Sequence, residues 1–411
     1  MDLQWLRIVV VGHVDHGKST LIGRLLHDAG ALPDSRLDEL RADSPADGLE
    51  WAFLLDHLRE EREQERTIDS TQAFFATPRR VYRIIDAPGH REFLKNMVTG
   101  AAQADAAILV VDVEAGVLEQ TRRHVALLAM LDRRHIIVAI NKMDRVEGRR
   151  DAFEAVARDT LSLLAQTALT AHAVIPISAR HGWNLAACAA PLEWHDGPTL
   201  FEALDSLPQP EPLSNRPLRL PVQDVYMLNG RNVIVGRIES GQLAQGQEVV
   251  SLPSGQSVRI ASIERFLESR TAAEAGESIG LTLDGPVAVH RGDVLCDPDS
   301  PPPIARRFEA NLLWLADDGW RQSDALLLRC ATQAAECRIE SVRRRTNSST
   351  LEVIETDAKR LEATEVGHVV LSLERPIAVE ELASGSSLGR FVLLKNREVC
   401  AGGTVTGHFR F

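Results

Sequence analysis

Eight residues near the start of the chain, Gly12-His13-Val14-Asp15-His16-Gly17-Lys18-Ser19, carry the spacing G-x-x-x-x-G-K-S. The chemistry this spacing suits is the holding of phosphate. Two glycines let the backbone wrap closely and turn its N–H groups inward. A helix beginning near Lys18 and running on through Thr20 adds its positive N-terminal end. Lys18 is then placed to reach the outer phosphates, and the Ser19 hydroxyl to bind Mg²⁺. His13 and His16 also form H-x-x-H, a spacing known from metal sites. No third ligand with metal spacing lies nearby, so they read as loop residues rather than a zinc site.

Three further short stretches follow apolar runs. Asp86-Ala87-Pro88-Gly89-His90 comes after Tyr82-Arg83-Ile84-Ile85. A carboxylate there can reach Mg²⁺ through water, and Gly89 leaves a backbone N–H to sense a terminal phosphate. Asn141-Lys142-Met143-Asp144 follows Ile136–Ile140. A carboxylate placed like Asp144 can accept from N1–H and the 2-amino group of guanine together, a donor pair adenine lacks. Ser178-Ala179 follows Val174–Ile177, where a backbone N–H can meet guanine O6. Four elements in this order, each ending a predicted strand, predict GTP or GDP as ligand, because open α/β sheets bind ligands at those ends.

The elements that must position these residues are legible in the same stretch. Ile8–Val11, Ala107–Val111, Ile136–Ile140 and Val174–Ile177 are nearly continuous apolar runs, which suit parallel strands covered on both faces. Between them lie helical patterns: Leu21, Ile22, Leu25 and Leu26, then Val125, Leu128 and Met130, then Phe153, Val156 and Leu164. The alternation predicts an α/β P-loop domain with a mostly parallel sheet over residues 1–207. Proline clusters at Pro208, Pro210, Pro212 and Pro217, and at Pro298, Pro301, Pro302 and Pro303, mark two boundaries. The segments beyond them, 214–300 and 305–411, show short β-rich runs with turn residues between, the pattern of two small antiparallel barrels.

Composition limits the alternatives. A chain of 411 residues needs more than one core. Its 46 Lys and Arg against 58 Asp and Glu give a net charge of −12, a poor match to a protein that coats nucleic acid. Its five cysteines are odd in number and none shows C-x-x-C spacing, which fits buried thiols in a reducing cytoplasm. No run approaches the roughly 20 apolar residues of a membrane span. Three lesser signals have plain readings. Gly385-Ser386-Ser387-Leu388-Gly389 matches G-x-S-x-G, but β-like Phe391–Leu394 follows, so it reads as a turn. Arg343-Arg344-Arg345 reads as a solvated face, and Trp194–Leu200 as structural packing.

The strings GHVDHGKST, DAPGH, NKMD and SAR, followed by two β-rich segments, resemble translation-factor-class GTPases. The resemblance implies that Thr67 is the switch I residue that reaches Mg²⁺ when GTP is bound, and that His90 positions the attacking water. That family usually has Gly-Ile before the threonine, whereas this chain has Glu65-Arg66, which stiffens and charges the switch. Two members of the class compete. The spelling GHVDHGKST is closer to elongation factors that carry aminoacyl-tRNA. Ile22–Asp28, Gln120–His124, Ser251–Gly255, Asn311–Leu315 and Leu371–Ile377 look more like the GTPase subunit of bacterial sulfate adenylyltransferase. No polar, aromatic stretch of the kind that opens an elongation factor's third domain is found; Gly389-Arg390-Phe391 alone is similar to that group. The second resemblance is the stronger. It implies a cytoplasmic GTPase that partners a small catalytic adenylyltransferase subunit, without membrane or nucleic acid, and uses GTP hydrolysis to drive adenylyl sulfate formation from ATP and sulfate.

Overall fold

The computed structural model describes residues 4–33, 35, 38, 51, 72–86, 104–228, 230–265, 268–285, 288–382 and 385–409. They divide between two compact units, one holding residues 1–210 with 348–351, the other 211–347 with 352–411. No helix among the described residues is long and apolar enough to cross a membrane.

The first unit is built on a six-stranded sheet. Its strands are β1 (Gln4–Gly12), β2 (Gln72–Ala76), β3 (Arg80–Asp86), β4 (Ala106–Asp112), β5 (Ile136–Asn141) and β6 (Ala171–Pro176), in spatial order β2-β3-β1-β4-β5-β6. Five of them run parallel, while β2 lies antiparallel to β3 at the edge. Every residue of β4 and β5 is buried, as expected for strands covered on both faces. Helices among the described residues include α1 (Lys18–Asp28), α2 (Glu119–Met130), α3 (Arg150–Gln166) and α4 (Leu200–Ser206). Leu21, Ile22 and Leu25 of α1 are fully buried in one core with Ile8, Ile108, Leu200 and Leu204. Thr199 starts α4 with a capping box, its hydroxyl and Glu202 satisfying each other's backbone N–H. Tyr82 and Thr77 both donate to Asp205, at 2.6 Å and 2.8 Å, and tie that helix to the sheet.

The strand register decides where the site falls. Asp86 pairs with Val10, Gly12 with Val110, and Asp112 with Asn141. All of these strands run the same way, so Gly12, Asp86, Asp112 and Asn141 end along one edge of the sheet. That edge is the C-terminal one, where this architecture binds ligands.

The second unit contains two seven-stranded antiparallel sheets, one spanning Arg219 to Cys296 and one Ile304 to His408. Pairing of Glu248–Leu252 with Gln256–Arg265 closes the first into a barrel, and Leu326–Cys330 with Gln333–Asn347 closes the second. Closure removes exposed strand edges. Leu220, Val249 and Leu281 lie in the core of the first, and Phe308, Trp314 and Leu371 in a core of the second that also takes in Leu252, Val294 and Cys296 from the first. Arg219 and Glu380 link the barrels through a nearly buried ion pair, with Nη2 at 2.7 Å from Oε1 and Nε at 3.3 Å from both carboxylate oxygens.

One expectation for this unit needs correction. The run Arg343-Arg344-Arg345 is not a uniform solvated face, because Arg345 is buried and donates to both oxygens of Glu365 at 2.6 Å and 2.8 Å. Arg343 reaches Glu309 at 2.7 Å. The G-x-S-x-G stretch forms a short 3₁₀ turn at Ser387–Gly389, capped by Ser386 and followed directly by a strand, so it lacks the helix a nucleophile elbow requires.

Candidate functional site

The loop from Gly12 to Lys18 is shaped by its two glycines. Gly12 has φ 147° and Gly17 φ 85°, both in the range side chains avoid. A Cβ on Gly12 would collide with the Val110 carbonyl oxygen, and one on Gly17 would lie 2.6 Å from Asn141 Nδ2. Val14–His16 makes one 3₁₀ turn between them, and α1 then begins at Lys18. The first N–H groups of such a helix have no partner within it and point at whatever sits before it. The Lys18 ammonium donates to the carbonyl oxygens of Gly12 at 2.9 Å and His13 at 2.8 Å, curling across the mouth of the loop.

Two buried histidines hold this loop from below. His124 of α2 accepts the Gly12 N–H on Nδ1 at 2.9 Å. His16 bonds the Val110 carbonyl through Nδ1 at 3.1 Å. The carbonyl can only accept, so His16 carries its proton on Nδ1, whereas His124 must leave Nδ1 bare. Burial pushes the His16 ring down to about 4 and the His124 ring to about 3, with the Lys18 charge adding to the second shift. Both are neutral at physiological pH.

The stretch after β5 reaches back to the same loop. Asn141 Nδ2 donates to His16 O at 2.9 Å, while its Oδ1 accepts from the Ala179 N–H at 2.9 Å. Lys142 donates to Asp15 O at 2.6 Å and lies 2.7 Å from Asp112 Oδ2. The Ser178 hydroxyl donates to Asp144 Oδ1 at 2.5 Å, and His181 Nε2 stands 3.9 Å from Asp144 Oδ2. The residues of the phosphate loop, Asn141 to Asp144 and Ser178-Ala179 are thus joined by side-chain to backbone bonds across more than 120 residues of sequence. Asp86 lies buried at the end of β3, next to β1.

The N–H of Ala179 is committed to Asn141, and that of Ser178 to Trp183 O at 3.3 Å. An O6 acceptor meeting either N–H would share it with that partner or replace it. Thr67, Ala87, Pro88, Gly89 and His90, with Glu65 and Arg66, lie outside the described residues.

Sequence reasoning overlooked His124 and Asp112. Asp112 had a signal: like Asn141, it is the single polar residue closing an apolar strand. His124 had none, because its partner lies 112 residues away.

A parallel sheet with a glycine-shaped loop at its C-terminal edge, tied to an Asn-Lys-x-Asp stretch, defines a P-loop GTPase-class site. Comparison with known families agrees over nearly the whole chain. Residues 4–210 match the elongation factor Tu GTP binding domain, 231–296 elongation factor Tu domain 2, and 307–406 the GTP-eEF1A C-terminal domain-like family. Elongation factor 1-alpha of Archaeoglobus fulgidus is 38% identical over 401 residues, covering 95% of each chain. Bifunctional enzyme NodQ of Azospirillum brasilense is 39% identical over 407 residues, 97% of this chain but 65% of its own length. Among solved structures, Sup35 complexed with GMPPNP aligns over 99% of this chain and 95% of its own, at 24% identity and a TM-score of 0.47. The chain belongs to the translation-factor class of GTPases, the elongation factor Tu and 1-alpha family, and its ligands are GTP and GDP.

Proposed function

We propose that this GTPase is the GTP-hydrolysing subunit of a sulfate adenylyltransferase. It would couple GTP hydrolysis to the making of adenylyl sulfate from ATP and sulfate on a separate, small catalytic subunit in the cytoplasm. The observation that carries this reading is the sequence of the later segments, above all Asn311–Leu315 and Leu371–Ile377. The likeness to NodQ supports it: a bifunctional enzyme contains a stretch of which 39% is identical to this chain, with a further third of its length beyond. In this reading ATP chemistry belongs to the separate catalytic subunit.

Within the site, Gly12, His13, Val14, Asp15, His16, Gly17, Lys18, Ser19 and Thr20 hold the phosphates. Asn141, Lys142, Met143, Asp144, Ser178 and Ala179 hold the guanine side, and the family resemblance assigns the terminal phosphate to Asp86, Ala87, Pro88, Gly89 and His90. Ser19 at the first turn of α1 and the buried Asp86 carboxylate are hard oxygen donors, the chemistry that suits Mg²⁺. Thr67 is the third donor of this reading. The ion would neutralise phosphate charge during hydrolysis. Lys18 stabilises charge on the outer phosphates and His90 orients the water.

The test mixes purified protein with an adenylyltransferase-type subunit, ATP and sulfate, with and without GTP, and follows adenylyl sulfate. Formation that rises with GTP is expected, and formation indifferent to GTP refutes the proposal. A second reading, an elongation-factor-like role in translation, is favoured by the 38% identity to elongation factor 1-alpha over nearly the full chain. It requires GTP-dependent binding of aminoacyl-tRNA, which protection of the aminoacyl ester from hydrolysis would reveal.

A further inference from the structure

We propose that Asp112 is a positioning residue for the nucleotide site, holding Lys142 so that the lysine fixes the phosphate loop against the guanine loop. The inference rests on the reading of these two loops as one guanine-nucleotide site, and adds to it a residue that the motifs leave out.

Asp112 is 4% exposed at the end of β4. Its two carboxylate oxygens do different work. Oδ1 accepts the Glu114 N–H at 2.8 Å and the Ala115 N–H at 3.4 Å, which shapes the turn after the strand. Oδ2 stands 2.7 Å from Lys142 Nζ. Burial alone would push the carboxyl up, but the lysine and the two N–H groups outweigh it and hold the carboxyl below its usual range. The carboxylate is therefore charged when it meets the ammonium.

Lys142 needs such an anchor. Its backbone has φ 65°, an uncommon value for a residue with a side chain, and its four-carbon stem is flexible in isolation. Held by Asp112, the ammonium donates to Asp15 O at 2.6 Å. Asn141 beside it donates to His16 O at 2.9 Å. Two successive carbonyls of the phosphate loop are thus fixed from the loop that carries Asp144. This latch grips the back of the loop, and so acts alike on bound GDP, bound GTP and the reacting complex. An interaction equal in ground and transition states changes affinity and leaves the saturated rate alone.

The experiment is Asp112→Asn. The Asn Oδ1 can still accept from Glu114 and Ala115, while its amide turns N–H groups toward the lysine and breaks the latch. The expected result is about a tenfold rise in the dissociation constants of both GDP and GTP, the size of one charge-assisted bond, with single-turnover hydrolysis at saturation unchanged. In a Lys142→Ala background the same substitution should add less than about twofold, because the two residues act as one unit. Unchanged affinity, or an equal loss with and without Lys142, overturns the proposal. Asp144→Asn tests the underlying site separately: it should move preference from guanine to xanthine nucleotides. If it does not, the guanine-site reading fails, whatever Asp112 does.

Discussion

In the proposed site, Lys18 is the residue on which nucleotide binding should depend most. Its ammonium already sits over the carbonyls of Gly12 and His13, a short movement from where phosphate oxygens must lie. Lys18→Ala should weaken GTP and GDP binding by about a hundredfold or more, measured by titration with a fluorescent nucleotide. Retained affinity would refute the phosphate-loop assignment. The histidines beneath the loop give a second expectation. Both are pushed down, to about 4 for His16 and about 3 for His124, against an ordinary value near 6.5. As pH falls below that ordinary value, the unfolded chain takes up protons that the folded one refuses. Stability should therefore fall with pH between about 6.5 and 4, by up to about 1.4 kcal/mol per pH unit for each histidine. Urea midpoints across that range read it out. His124→Asn can still accept from Gly12 but does not titrate there, so it should flatten the slope; an unaltered slope would contradict the account.

Elements divide into those the sequence pattern announces and those it conceals. The apolar runs located β4 and β5 within a residue, because strands covered on both faces leave no polar position to blur them, and β1 and β6 within a few, since polar residues such as Gln4, Arg7 and His172 open those strands. The edge strand β2 was missed: Gln72–Ala76 is short and half exposed, and its aromatics Phe74 and Phe75 point to opposite sides. Charged residues hid their burial in the same way. Arg345 sits in a basic run, yet Glu365 and Glu355 gather round it from neighbouring strands, a pairing no local window shows. Arg219 and Glu380 are 161 residues apart and equally invisible. That pair carries a prediction at this scale. Glu380→Ala leaves the Arg219 guanidinium buried without its carboxylate and should cost about 3–5 kcal/mol in denaturant unfolding. The double change Arg219→Met with Glu380→Leu should cost less than Glu380→Ala alone. A larger loss in the double variant would show that the pair contributes net stability rather than mutual neutralisation.

At the scale of the molecule, the nucleotide loops belong to the first compact unit, and the strands that separate the two readings of function belong to the second. The net charge of −12 decides nothing between those readings; the proposal leans on the sequence of the third segment, whose residues 307–406 match the GTP-eEF1A C-terminal domain-like family. For GTP to drive chemistry on another subunit, the partner must bind the GTP and GDP states with different affinity; otherwise hydrolysis shifts nothing. An unfavourable product such as adenylyl sulfate then accumulates only while GTP is consumed. The most direct measurement incubates this protein and the catalytic subunit with ATP, sulfate and GTP, and records adenylyl sulfate and GDP together. The account predicts adenylyl sulfate above the level that ATP and sulfate reach alone, rising in step with GDP and abolished by Lys18→Ala. Adenylyl sulfate that stays at that level while GTP is hydrolysed would contradict it.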